Sequence, residues 1–388
     1  MRPKPLAGLR VLDLTRLLPG PLATQHLADY GAEVIKIEDT GAGDYARSMG
    51  AMHGDTSYFY RIVNRGKKSL RLDLKKAAGR ELFLRLVGTA DVVVEGFRPG
   101  VMDKLGVGYA TLAETNPKVV LCSISGYGQT GPYAQRAGHD INYIGYAGVL
   151  DQIGVAGGAP AIPNLQIGDL LGGTMSALFG LLAAVIDART SGQGRHVDVA
   201  MTDAALAHAI FPLAEVLAHG TVRPRGEDLL TGGVPCYGVY ETADGRHMAV
   251  GALEEKFWLL LCDTLQRPDL KPAHLATGEA GERARAELSA IFVRHTQAHW
   301  AAVFDAVDCC VTPVLHLEES LDNPHVAARG MVVEVDGVRQ FAPPLRMSDF
   351  SPGPFTSAPA AGEHNQVLLT ELGLDEAAIE GLRRDGVI

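Results

Sequence analysis

The chain has 388 residues, 47% of them apolar and 21% charged, which is enough to bury substantial cores in two or three soluble domains. Its formal net charge is −10. That balance works against nucleic acid or an anionic membrane as a partner, so any phosphate-bearing ligand must be met by a local basic patch.

The first third alternates strand and helix signals. Residues 9–14 (LRVLDL) read as a short strand, broken by the loop 17–21 (LLPGP). Residues 23–30 have helical spacing and stop at Gly31, a C-cap signal. Residues 32–38 (AEVIKIE) predict a second strand and 70–74 a third. A helix over 77–87 and a strand over 91–94 (DVVV) follow, then 119–124 (VVLCSI) ending in SGYG. This alternation predicts an α/β fold, with a Rossmann-like parallel sheet covered by helices. Glycines cluster from 145 to 173, ahead of an apolar helix over 174–188, and mark irregular, functional backbone. Residues 195–201 (RHVDVAM) open another element. The composition then shifts. Runs at 234–240 and 246–251 read as two strands joined at Asp244-Gly245, a strong hairpin signal. Helices are expected over 255–265 and 284–293, and a final short one over 365–372. The predicted domains are a large one over 1–190 completed by 330–388, linker helices over 190–225, and a small α+β domain over 225–330.

Several functions are disfavoured. A Rossmann dinucleotide site needs GxGxxG after its first strand, whereas LLPGP offers one glycine between two prolines, so NAD is not expected. The five cysteines are odd in number and form no CxxC, which argues against a disulfide framework and a metal site. Cys309 and Cys310 sit in an apolar run, AVDCCVTPVL, and read as buried small hydrophobes. The N-terminal residues lack a signal-peptide pattern, and the longest apolar stretch, 177–186, is short for a bilayer span. The expectation is a cytoplasmic enzyme without a membrane partner.

Two segments place an ionisable residue beside glycine in apolar surroundings: 137–143 (AGHDINY) and 164–173 (NLQIGDLLGG). Asp169 begins the apolar helix, where a carboxylate can serve as a cap or as a catalytic group. His139 is open to a structural or a functional role in the same way.

Read together, several segments resemble the family III CoA-transferases and their racemase relatives, most closely the α-methylacyl-CoA racemases. They are PLAGLRVLDLTRLLPGPLATQHLADYGAEVIKIE, VEGFRPGVMDKLG, SISGYGQTGPYAQRAGHDINY, NLQIGDLLGGTMSALFGLLAAV, ETADGRHMAVGALEEKFW and DCCVTPVL. They occur in order over nearly the whole chain. The resemblance implies that Asp169 is the reactive aspartate: a nucleophile forming a mixed anhydride in transferases, one of two acid/base groups in racemases. It makes His139 the second racemase group and Glu254 the carboxylate paired with it, with Glu255 as the neighbouring alternative. A racemase needs one group on each face of the carbon next to the thioester, one starting as base and the other as acid. Asp169 must then have a raised pKa, and the enolate oxygen needs donors, expected from N–H groups around the start of the Asp169 helix.

The resemblance points coenzyme A to Leu72, Asp73, Leu74 and Lys75, to Glu95, Gly96, Phe97 and Arg98, to Leu17 beside the adenine, and to Asp140 and Tyr143. Arg98 and Lys75 are the phosphate candidates, with solvated surface charge as the alternative for each. Arg47, Arg61, Arg65, Lys67 and Lys68 are nearby cations, unranked, and Asp39 stands where some racemases carry a cation. No cofactor beyond coenzyme A as part of the substrate is implied. His139 and Glu254 favour a racemase, as does a comparatively short glycine stretch at 231–235 (TGGVP). The alternatives are a CoA-transferase acting through Asp169 and a non-catalytic CoA-binding protein. The family architecture further implies an interlocked homodimer, with Glu254 reaching His139 of the other chain.

Overall fold

Short runs rich in valine and isoleucine build the first unit, because a parallel strand buried on both faces reads as a continuous apolar stretch. The computed structural model describes residues 2–388. In it, β1 (Arg10–Asp13) leads to α1 (Pro19–Asp29) and β2 (Glu33–Glu38). Next come β3 (Lys68–Arg71), α2 (Ala77–Val87), β4 (Val92–Glu95), β5 (Val120–Ser125) and the short α3 (Asp140–Tyr146). A π-helical segment, Gly168–Met175, runs directly into α4 (Ser176–Ser191), followed by β6 (His196–Ala200) and α5 (Met201–Ala207). The six strands are all parallel, in the order β3-β2-β1-β4-β5-β6. This order is of the Rossmann type, and the parallel sheet is the one that the alternating pattern predicted.

Successive side chains point to opposite faces of the sheet, which gives two cores. Leu12, Ile35, Leu70, Val93 and Leu121 pack with Phe83 and Leu86 of α2. Leu368 and Ile379, from helices Asn365–Glu371 and Glu376–Arg384, complete that core. On the other face Val11, Val34, Val92, Val94 and Cys122 pack with Leu27 of α1 and with Ala177 and Leu181 of α4.

The second unit is α+β. It contains α6 (Ile210–His219), β7 (Tyr237–Glu241), β8 (His247–Gly251), α7 (Glu255–Thr264), α8 (Gly278–Phe292), α9 (Gln297–Phe304) and β9 (Val311–Pro313). Its antiparallel sheet runs β9-β8-β7. The β7–β8 hairpin turns at Gly245, whose φ of +70° suits glycine. Trp258, Phe292 and Trp300 centre its core.

Several expectations are corrected. The first unit comprises Met1–Ala147, Asn164–His208 and His325–Ile388, and the second Gly148–Pro163 with Ala209–Pro324. Residues 148–163 therefore belong to the second unit rather than the large domain. Residues 209–224 pack with that unit too instead of forming a separate linker. The terminal helix is not the last, since Glu376–Arg384 follows it, anchored by the buried Ile379. Cys309 is buried but Cys310 is exposed, turned out by a φ of +58°. The apolar helix is also longer than its sequence suggested. Gly168–Ser191 is continuous over 24 residues, long and apolar enough to meet the test for a bilayer span. Ala177, Leu181, Ala184, Val185 and Ala188 of this helix are nonetheless packed in the sheet core.

Candidate active site

In the order β3-β2-β1-β4-β5-β6 the chain switches direction between β1 and β4, and such a switch opens a crevice at the carboxyl ends of the strands. A cleft of about 570 Å³ lies there. Residues 14–17, 19 and 20 after β1, 96–99 after β4 and 124–127 at the end of β5 line it, with 136–139, Asn142, Tyr143, Asp169 and Met201.

A buried charge cluster holds the loop after β1. Asp13 ends β1 and accepts hydrogen bonds from Thr24 Oγ1 at 2.7 Å and Lys67 Nζ at 2.9 Å. Lys67 Nζ also donates to Pro21 O at 2.8 Å and Asn64 Oδ1 at 2.8 Å. Lys36 Nζ pairs with Asp44 Oδ2 at 2.8 Å and donates to Thr15 O at 2.9 Å. Two ammonium groups thus fix carbonyls at both ends of the loop. Between them Leu17 takes a left-handed φ of +64°, and its N–H donates to Asp44 Oδ1 at 3.2 Å. Burial alone would raise the Asp13 pKa, but Lys67, Lys36 and the Thr15 and Thr24 hydroxyls outweigh it and hold the carboxyl well below its ordinary range. Burial pulls Lys67 down to about 8, against the pull of Asp13.

After β5 the chain reaches His139, the residue preceding α3. Its backbone N–H donates to Asn142 Oδ1 at 3.0 Å, and its side chain lies on the cleft. Tyr143 packs against bare backbone. A Cβ on Gly126 would lie 2.2 Å from its ring, and one on Gly138 2.7 Å. Burial first, and then the Asp169 charge, push the Tyr143 phenol up to about 12.

Asp169 sits in the first turn of the π-helical segment, a backbone form that recurs at functional sites. Glycines let this segment approach its neighbours. A Cβ on Gly172 would lie 2.6 Å from Met201 O, and one on Gly173 2.6 Å from Pro19 Cβ. The Asp169 N–H donates to Asp140 Oδ1 at 3.0 Å. Burial, then the Asp140 charge, raise the Asp169 carboxyl to about 6. Because the Asp169 N–H is taken by Asp140, and the Leu170 N–H by Gln166 O at 2.8 Å, these two donors are committed and do not serve an enolate oxygen.

The cleft therefore gathers Leu17, Gly96, Phe97, Arg98, His139, Tyr143 and Asp169. Arg98 is exposed and carries no ion pair among the described residues. Asp73, Leu74 and Lys75 do not line it. They follow β3, where Asp73 Oδ1 accepts the Lys75 N–H at 2.9 Å, Leu74 is buried in the core, and Lys75 is exposed. Asp140 acts on Asp169 from outside the cleft lining. The unranked cations are paired: Arg47 with Glu38, Arg61 with Asp336, Arg65 with Asp29, Lys67 with Asp13 and Lys68 with Glu33. Glu254 lies in the second unit, exposed, immediately before α7, and Glu255 is the first residue of that helix.

Sequence reasoning missed Arg16, Tyr127 and Arg136, which also line the cleft. Glu95, named with the Gly96–Arg98 segment by the resemblance, is buried at the end of β4 and raised by that burial to about 7. Glu95 Oε2 accepts the Phe97 N–H at 2.6 Å and so shapes the turn carrying Phe97 and Arg98.

Sequence comparison matches residues 6–365 to CoA-transferase family III. The chain is 35% identical over 387 residues to the alpha-methylacyl-CoA racemase of Mus musculus, covering 99% of this chain and 97% of the relative. It is 34% identical to the acetyl-CoA:oxalate CoA-transferase of Acetobacter aceti, over 97% of this chain and 98% of the relative. A CAIB/BAIF family protein from Brucella suis superposes with a TM-score of 0.84 at 30% identity, covering 96% of this chain and all of that one.

Proposed function

The chain belongs to CoA-transferase family III, and from that premise we propose that it is a 2-methylacyl-CoA racemase, inverting the carbon next to the thioester carbonyl. The observation that carries this reading is that two proton-carrying side chains from separate elements, His139 and Asp169, open onto one cleft. In one direction His139 removes the C2 proton, and the bonding electrons move into the thioester as an enolate. Asp169, protonated, then returns a proton to the opposite face of C2. In the other direction the roles exchange. An Asp169 carboxyl raised to about 6 supports this use, because an acid of ordinary strength would hold almost no proton near neutral pH. Glu254 is proposed as the carboxylate that orients His139 in a homodimer. The substrate supplies the coenzyme A, and no metal or NAD is part of the reading.

The test is α-proton exchange. One enantiomer of a 2-methylacyl-CoA is incubated with the protein in D₂O without any free acid. Deuterium uptake at C2 with formation of the other enantiomer is expected, and both should fall at least about 100-fold in His139→Ala and in Asp169→Asn, the scale of a lost acid/base group.

A CoA-transferase is the second reading, favoured by the 34% identity to a CoA-transferase over 97% of the chain. Here the Asp169 carboxylate attacks the thioester carbonyl, CoA leaves as thiolate, and a mixed anhydride forms. CoA thiolate then attacks the aspartyl carbonyl of this anhydride, the donor carboxylate leaves, and an aspartyl thioester remains. An acceptor carboxylate attacks that thioester and expels CoA thiolate, which attacks the acceptor's acyl carbonyl in the second anhydride and releases acyl-CoA and free Asp169. Absence of exchange over several substrates, with CoA transfer to an added carboxylic acid that survives His139→Ala, would replace the racemase by the transferase.

A further inference from the structure

Arg16 lies three residues beyond the end of β1 and lines the same cleft as Phe97 and Arg98. Its Nη2 donates to Asp39 Oδ2 at 2.6 Å. Asp39 is itself fixed, because its Oδ1 accepts the N–H groups of Gly41 at 2.8 Å and Gly43 at 3.2 Å. The Arg16 guanidinium also lies over the Phe97 ring, 5.9 Å from its centroid. One nitrogen is thus tethered to a rigid carboxylate and the planar face rests by an aromatic ring. Nε and Nη1 make no hydrogen bond among the described residues. A guanidinium carries five N–H donors in a fixed fork and keeps its charge at any working pH.

The Arg16–Asp39 pair is exposed, 36% and 40% at the two side chains, and an ion pair in that setting adds little to stability. What it achieves is orientation of a charge. The other cations close to the loop are consumed: Lys36 and Lys67 are buried on Asp44 and Asp13. Arg136, also on the cleft, is stacked 4.0 Å over Tyr133 and donates to Tyr146 Oη at 2.7 Å. Arg16 and Arg98 keep donors to offer and share the cleft with Phe97; Arg136 keeps donors too, but it is held against Tyr133 and Tyr146 rather than by Phe97. Leu17, next in the chain, is clamped by the buried cluster, so the backbone that presents Arg16 is preorganised.

We propose that Arg16 is a phosphate-binding residue of the cleft, acting with Arg98 on the phosphates of the nucleotide portion of coenzyme A, with Asp39 tethering its guanidinium. This assignment rests on the reading of the cleft as an acyl-CoA site. Two forks at one cleft match a ligand that carries several phosphate groups.

Calorimetric titration with CoA, and separately with pantetheine, which has no phosphate, tests it. Wild-type protein is expected to bind CoA far more tightly than pantetheine. Arg16→Met should weaken CoA about 10-fold or more, the scale of one charge-assisted hydrogen bond, while leaving pantetheine unchanged. Arg16→Lys should recover part of the loss. Equal weakening of both ligands, or unchanged CoA binding in Arg16→Met, overturns the assignment and leaves the acyl-CoA reading standing. A wild-type protein that binds no CoA overturns both.

Discussion

At Asp169 the proposed chemistry would come at a cost to the fold. Its carboxyl is raised from 3.8 to about 6, so ionisation is harder in the folded state than in the unfolded chain. By linkage the fold is unaffected below about pH 4 and loses stability as pH rises toward 6. The full cost, at most about 3 kcal/mol, stands above that value. Asp169→Asn is therefore expected to melt at a higher temperature than wild type at pH 8 and at nearly the same temperature at pH 4. A thermal scan at both values checks this, and the same variant should lack C2 exchange. Asp140 supplies the second cause of the shift and holds the Asp169 N–H. Asp140→Asn keeps an oxygen acceptor for that N–H but removes the charge. The Asp169 titration, followed by carboxyl ¹³C NMR, should move down in pH but stay above its ordinary value, because burial is the larger cause. Spacing alone left His139 and Asp169 open between structural and chemical roles, and the resemblance pointed to the chemical one. His139 leads into α3 while lining the cleft, and Asp169 starts a helix while titrating high. Arg16 was illegible because a loop arginine acquires meaning only from partners that the sequence does not pair.

At the level of elements, the legible parts were those with an apolar period. β4 and β5 are buried at every position, as a central parallel strand requires. The glycine-rich stretch at 168–173 was harder, because glycine lowers helix propensity and reads as loop. Close packing overrides that preference here. The π-helical segment has to touch the start of α5 and the start of α1, and Gly172 and Gly173 are what let it. Gly172→Ala would put a methyl group 2.6 Å from Met201 O, a backbone atom that cannot swing aside. The expected loss is about 1–3 kcal/mol, read as a lower urea midpoint, with reduced exchange activity because Asp169 rides on the same segment. Unaltered stability would mean that the segment shifts freely. The helix Glu376–Arg384 was missed because its apolar face is narrow: Ile379 is buried and Leu382 packs against the same core, while four of its nine residues are charged.

At the scale of the whole molecule, the apolar surface is the largest feature still to be explained. On α6, Phe211 is 58% and Leu217 78% exposed, with Ile210 and Leu213 also open; on α4, Phe179 is 81% and Ile186 68% exposed. Exposed apolar faces of this extent are a mark of association. The homodimer implied by the family resemblance would bury such surface, and it would also bring a second chain's Glu254 into play. Sedimentation velocity is expected to give twice the chain mass at micromolar concentration. The double variant Phe211→Asp, Leu217→Asp should shift the protein toward monomer, since each buried aspartate would be desolvated without a partner. If the active centre needs two chains, C2 exchange must fall in step with the dimer fraction on dilution, and salt or crowding that restores the dimer must restore exchange. A monomer with undiminished exchange would place the whole reaction within one chain and remove Glu254 of a second chain from the mechanism. Full dimer with no exchange would point instead to the catalytic residues themselves.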